Sequence, residues 1–149
     1  IFMKRTIKLL AAIMLFATPL FAQPSNIVGK WYTIDEDGNR KSIVEIYKAP
    51  SGIYEGKIVN LLTGDPERRC VNCTGSKQNV KIKGMVNVTG MRADGEKLSG
   101  GKILDPANGK EYNCSMTYDK KTGNLKVRGS LDKSGIIGRN QTWIRAANQ

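Results

Sequence analysis

Cys70-Val71-Asn72-Cys73 is the one spacing in this chain with redox or metal-binding meaning. A thioredoxin-like use would need a βαβ setting and a helix N-terminus to lower a thiol pKa, and the surrounding sequence offers neither. A zinc site would have to recruit Cys114 and a carboxylate, because the sequence holds three cysteines and no histidine. In an oxidising compartment the favoured outcome is a local disulfide between Cys70 and Cys73, with Cys114 left as a free thiol. The lack of histidine also removes the commonest general base, and with it Ser-His-Asp, Cys-His and facial-triad chemistry. Any catalysis would fall to carboxylates, Lys, Tyr or Cys. Glu45, Glu55 and Asp105 are the candidates for a glycosidase-type pair, although turn and surface roles suit them better. No Gly-rich phosphate loop opens a helix, and no metal or cofactor is expected.

The closing segment carries a different kind of chemistry. Read as a strand, Gly138–Arg145 puts Arg139, Gln141, Trp143 and Arg145 on one face and Asn140, Thr142 and Ile144 on the other. If Trp143 points inward, Arg139 and Gln141 go with it. A buried guanidinium needs a carboxylate or an anionic ligand as its partner. The segment Glu111–Tyr118 likewise groups Tyr112, Cys114, Met116 and Tyr118 on an apolar face, which makes Cys114 a buried thiol. Arg139, Gln141, Trp143 and Tyr112 are therefore the candidate ligand-binding residues.

These residues must be positioned by strands, since no segment beyond Ser25 sustains a 3.6-residue apolar period. Short β-branched and aromatic runs alternate instead with Gly, Pro, Asn and Asp clusters. They predict strands near Ile27–Ile34, Ser42–Tyr47, Ile53–Asn60, Met85–Met91, Lys97–Leu104, Glu111–Tyr118, Leu125–Ser130 and Gly138–Arg145. Asp37-Gly38 and Asp94-Gly95 supply the positive-φ positions of tight hairpins. Eight sequential antiparallel strands are enough to close an up-and-down barrel whose interior is filled or holds one small ligand. Leu61–Gly84, which contains the Cys-x-x-Cys, is the one long interruption and reads as a functional loop with at most one short helix.

Ahead of this single domain (residues 23–149) stands a stretch of another kind. Lys4, Arg5 and Lys8 precede the apolar run Leu9–Phe16, and Thr18-Pro19-Leu20-Phe21-Ala22 leads into Gln23. This is the order of a secretory signal peptide, residues 1–22, with an apolar run too short to span a bilayer. Cleavage is expected after Ala22, and Leu20 leaves a shifted cut or an uncleaved anchor as alternatives. The remaining chain carries 21 basic and 13 acidic residues, a net +8. Export sets nucleic acid aside as a partner and leaves small anionic ligands or envelope components, with membrane contact at most peripheral.

Val28-Gly29-Lys30-Trp31, Asp105-Pro106-Ala107-Asn108-Gly109-Lys110-Glu111-Tyr112, Leu125-Lys126-Val127-Arg128-Gly129 and Gly138-Arg139-Asn140-Gln141-Thr142-Trp143-Ile144-Arg145 occur in this order. Together they resemble the bacterial exported family known as domain of unknown function 2147, over essentially the whole domain. The resemblance implies a lipocalin-like β-barrel in secreted or periplasmic proteins, without an assigned activity. Gly29-Lys30-Trp31 also resembles the lipocalin opening, which implies a structural Trp31 packed under an arginine from the chain's end, Arg145 or Arg139. The functional expectation is an exported barrel that binds a small or anionic ligand without catalysis. The alternatives are a structural barrel with a filled interior and an extracytoplasmic enzyme using carboxylates or cysteines.

Overall fold

The computed structural model describes residues 24–147, together with Ile13, Met14 and Ala17. The expected leader and its cleavage point otherwise lie outside the described residues. Eight antiparallel strands follow one another around a closed barrel in chain order: β1 (Gly29–Ile34), β2 (Arg40–Lys48), β3 (Tyr54–Leu61), β4 (Val86–Asp94), β5 (Lys97–Asp105), β6 (Lys110–Tyr118), β7 (Leu125–Ser130) and β8 (Gly138–Arg145). A short 3-10 turn, Gly75–Lys77, is the one helical element among the described residues.

Period-two alternation decides what faces inward. Val44 and Ile46 of β2, Cys114 and Met116 of β6, and Leu125 and Val127 of β7 are buried, while their sequence neighbours are more exposed. Up-and-down connectivity gives the barrel two unlike ends. At one end the chain enters and leaves, and Trp31, Ile46, Tyr54, Met91, Leu98, Met116 and Leu125 fill the interior. The β1–β2, β3–β4, β5–β6 and β7–β8 connections rim the other end, and the interior there is not filled.

Closure is uneven. β7 and β8 pair at six positions, from Leu125↔Trp143 to Ser130↔Gly138, but β1 and β8 pair only through Trp31↔Arg145 and Tyr32↔Ile144. Above Tyr32 the two strands diverge, which leaves a slot in the wall at the open end. A second irregularity lies between β3 and β4, where Gly56 faces Val88 and Lys57 faces Val86. Asn87 is then the extra residue of a β-bulge, and both Asn87 and its neighbour Val88 are buried.

Candidate functional site: a cup with a basic rim

The unfilled half of the barrel is a cavity of about 650 Å³. Val44, Ile58, Val127 and Trp143 form its apolar base, Ile82, Ile103 and Leu104 line its sides, and Leu131 and Ile137 stand at the mouth. Five charged side chains contribute to the wall: Lys41, Arg68, Lys110 and Arg139 against the single carboxylate of Asp105. Asp105 also accepts a hydrogen bond from the Ala107 N–H at 2.9 Å, so part of its charge is committed to its own turn. The rim is thus cationic over an apolar well.

Tyr112, Arg139, Gln141 and Trp143 all border this cavity. Trp143 is buried, and its Nε1 donates to Gln141 Oε1 at 3.4 Å. Tyr112 is half-buried, and its hydroxyl accepts from Asn108 Nδ2 at 3.2 Å. Arg139 corrects the expectation of a buried guanidinium. Its side chain is 72% exposed and forms an ion pair with Glu36 at 3.4 Å, across the slot between β8 and the β1–β2 loop. Gln141 is also exposed. Parity aims both residues at the cavity axis, but the missing upper rungs between β1 and β8 leave them open to water.

Asn87 was not evident from the sequence. Its Nδ2 donates to the Leu104 carbonyl at 3.4 Å, whereas its buried Oδ1 has no partner among the described residues. Lys41 and Arg68 were also missed, because Arg68 comes from the long loop and Lys41 is the extra residue of a bulge, Thr33 facing Ser42 and Ile34 facing Arg40. Lys110 was accessible to parity, since it falls on the face of Tyr112 and Cys114.

The β3–β4 connection folds over the mouth from one side. A bridge between Arg69 and Lys81 and a Cys70–Cys73 disulfide close it on itself. It rests on the β5–β6 turn, where Asn72 Nδ2 donates to Ala107 O at 3.0 Å and Cys70 Sγ lies 3.4 Å from Pro106 O. Both cysteines are buried. Cys114 is a free thiol inside the barrel wall, and burial pushes its pKa up to about 12, so it is protonated and a poor nucleophile at ordinary pH. The candidate carboxylates do not converge. Glu45 and Glu55 lie on the outer face between buried neighbours, with Glu55 accepting from the Tyr47 hydroxyl at 3.1 Å, while Asp105 sits at the rim.

At the closed end, the guanidinium of Arg145 stacks 3.7 Å above the centroid of the Trp31 ring. Trp31 Nε1 donates to Ile27 O at 2.8 Å. Arg139, the other arginine considered for this stack, is at the opposite end of the barrel.

The sequence profile of the family described as "Uncharacterized protein conserved in bacteria (DUF2147)" matches residues 29–145, the whole barrel from the first residue of β1 to the last of β8. The chain belongs to the DUF2147 family. Among solved structures, the barrel is similar to the Helicobacter pylori protein HP1028, described as belonging to the lipocalin family. The TM-score is 0.73 with 22% identity, covering 82% of this chain and 84% of that one. At that identity the likeness is one of fold, and it makes this DUF2147 protein a lipocalin-like up-and-down barrel. No curated protein sequence matches the chain.

Proposed function

We propose that this DUF2147 protein is an extracytoplasmic binding protein whose cup takes one small amphiphile, with an apolar body in the well and an anionic head at the rim, without chemical conversion. The carrying observation is the composition of the cavity wall, an apolar base beneath four cationic side chains and one carboxylate. A volume of about 650 Å³ falls within the range of small-molecule pockets, and eight-stranded barrels are of a size to hold one such ligand. Placement outside the cytoplasm rests on the basic, then apolar, then small-residue order of the first 22 residues.

The test is competition for an anionic fluorescent probe held in the cup. Dodecanoate should displace it, and dodecylamine, with the same tail and the opposite charge, should not. Arg139→Met should weaken dodecanoate several-fold while changing stability by less than about 1 kcal/mol, because its ion pair with Glu36 is exposed. Equal displacement by acid and amine would discard the charged-rim reading, and no probe uptake would discard the cup. N-terminal sequencing of fractionated cells should find Gln23 or a near neighbour first, outside the cytoplasm, and an intact leader in the cytosol would refute export.

A further inference from the structure

The β7–β8 connection has the sequence Leu131-Asp132-Lys133-Ser134-Gly135-Ile136-Ile137, and its three large aliphatic side chains face water. Leu131 is 71% exposed, Ile136 79% and Ile137 61%. Such exposure would be unremarkable in a loose loop, but this one is tightly built. Asp132 turns back on its own segment and accepts the N–H groups of Ile136 at 3.0 Å and Ile137 at 2.7 Å. Arg128, on β7, donates through Nε to Gly135 O at 2.6 Å and through Nη2 to Ile136 O at 3.1 Å. Leu131 N–H closes the base of the loop on Ile137 O at 2.8 Å. The polar groups are thus used to hold three apolar side chains outward, at a free-energy cost unless something covers them.

The loop's surroundings indicate what covers it. The exposed apolar side chains of the loop are all aliphatic, without the aromatic or arginine anchors that typically dominate protein interfaces. Its one carboxylate is already engaged by backbone N–H groups, while Lys133 in the loop and Lys41 and Lys110 on the same rim form no ion pair among the described residues. Aliphatic side chains at a tip with ammonium groups around it match a lipid surface with anionic headgroups, the side chains entering the headgroup boundary and the lysines meeting phosphate. Leu131 and Ile137 also line the cavity mouth, so the apolar surface of the tip continues into the cup.

We propose that the Leu131–Ile137 loop docks the open end of the barrel onto an anionic lipid membrane, with Leu131, Ile136 and Ile137 inserted at the headgroup level and Lys133 on the phosphates. This goes beyond the binding function and stands independently of it. Docked this way, the mouth of the cup opens at the acyl boundary.

Flotation of the full chain with phosphatidylglycerol and with phosphatidylcholine vesicles tests the proposal. Binding should favour phosphatidylglycerol and weaken with salt. Ile136→Ser should reduce partitioning about tenfold, and Lys133→Glu should reduce it on phosphatidylglycerol alone. Neither residue lines the cavity, so both variants should take up a cavity probe as the parent does, which also certifies their fold. All variants share one N-terminus, so a loss on changing Ile136 reports the loop. An environment-sensitive label on an Ile136→Cys variant should shift to the blue on vesicles, Cys114 being buried. Unchanged partitioning of Ile136→Ser would overturn the proposal. So would a parent dimer that Ile136→Ser renders monomeric without lipid, since the loop would then be covered by a second copy. Loop-dependent vesicle binding by a protein that takes up no probe would retain the docking and remove the cup reading.

Discussion

Arg145 and Trp31 close the base of the barrel as one unit, the guanidinium lying 3.7 Å from the ring centroid while its Nη1 donates to Val28 O at 2.9 Å and its Nη2 donates to Asn26 O. Removal from water lowers the Arg145 pKa from its ordinary value, yet the group stays cationic, as the stack requires. Gly29 makes the approach feasible. It has φ +127°, and a Cβ there would lie 2.7 Å from Arg145 Nη1. Arg145→Ala should therefore cost about 2 kcal/mol, from the stack and its hydrogen bonds together. Gly29→Ala should cost at least as much as a strained-backbone substitution, roughly 1–3 kcal/mol, by displacing the same guanidinium. Thermal melts of both variants, and of the double variant, check this. Additive losses would show that Gly29 and Arg145 do not act through one contact.

The seating of the long connection depends on a second glycine. Gly109 has φ +72°, and a Cβ there would fall 1.9 Å from Asn72 O, a backbone atom that cannot turn aside. Gly109→Ala should lift the Cys70–Cys73 turn from the β5–β6 hairpin and raise amide exchange over residues 68–82 while the barrel strands stay protected. Gly38→Ala supplies the control, since it has φ +83° with nothing within 4 Å and should show the backbone penalty alone. Equal exchange in the two variants would mean that the loop is not held by this contact.

Cys114 links the core to pH. Its thiol pKa is raised by burial from an ordinary value near 9 to about 12. The folded state therefore holds the proton more tightly than the unfolded state. This contribution to stability is fully present below about pH 9 and declines as pH rises toward 12, by at most about 1.4 kcal/mol per pH unit. Denaturant titrations across that window should show a shallower alkaline loss for Cys114→Ala than for the parent, after tyrosine and lysine effects common to both are subtracted. Parallel curves would show that the folded state does not hold the Cys114 proton. Native protein should also resist thiol reagents that label the unfolded chain.

The strand order, the barrel and the long loop were legible because alternation and turn residues are local signals, and β4 through β8 supply both without interruption. Trp143 and Tyr112 could be placed at the cavity for the same reason. Arg139 shows where local signals stop: parity gave its direction, but its exposure depends on whether β1 continues to pair with β8, which no residue in β8 encodes. Cations arriving from a loop, such as Arg68, have no periodicity to betray them. A bulge has a similar effect, shifting parity by one residue with no mark in composition.

Asn87 is such a bulge residue, and its amide tests how the barrel wall is satisfied. Its Nδ2 is taken by Leu104 O, so the free acceptor is Oδ1, buried beside an apolar cavity without a partner among the described residues. A buried unsatisfied carbonyl destabilises by roughly 1–3 kcal/mol, so Asn87→Leu, close in volume and apolar, should leave the empty barrel as stable as the parent or more so. The change also removes the Nδ2 bond to Leu104 O, which limits the gain. Thermal melts read the stability, and dodecanoate binding supplies the second readout. Oδ1 presents no surface to the cup, so Asn87→Leu should bind dodecanoate as the parent does. A variant that melts well below the parent would show that Asn87 is satisfied within the wall.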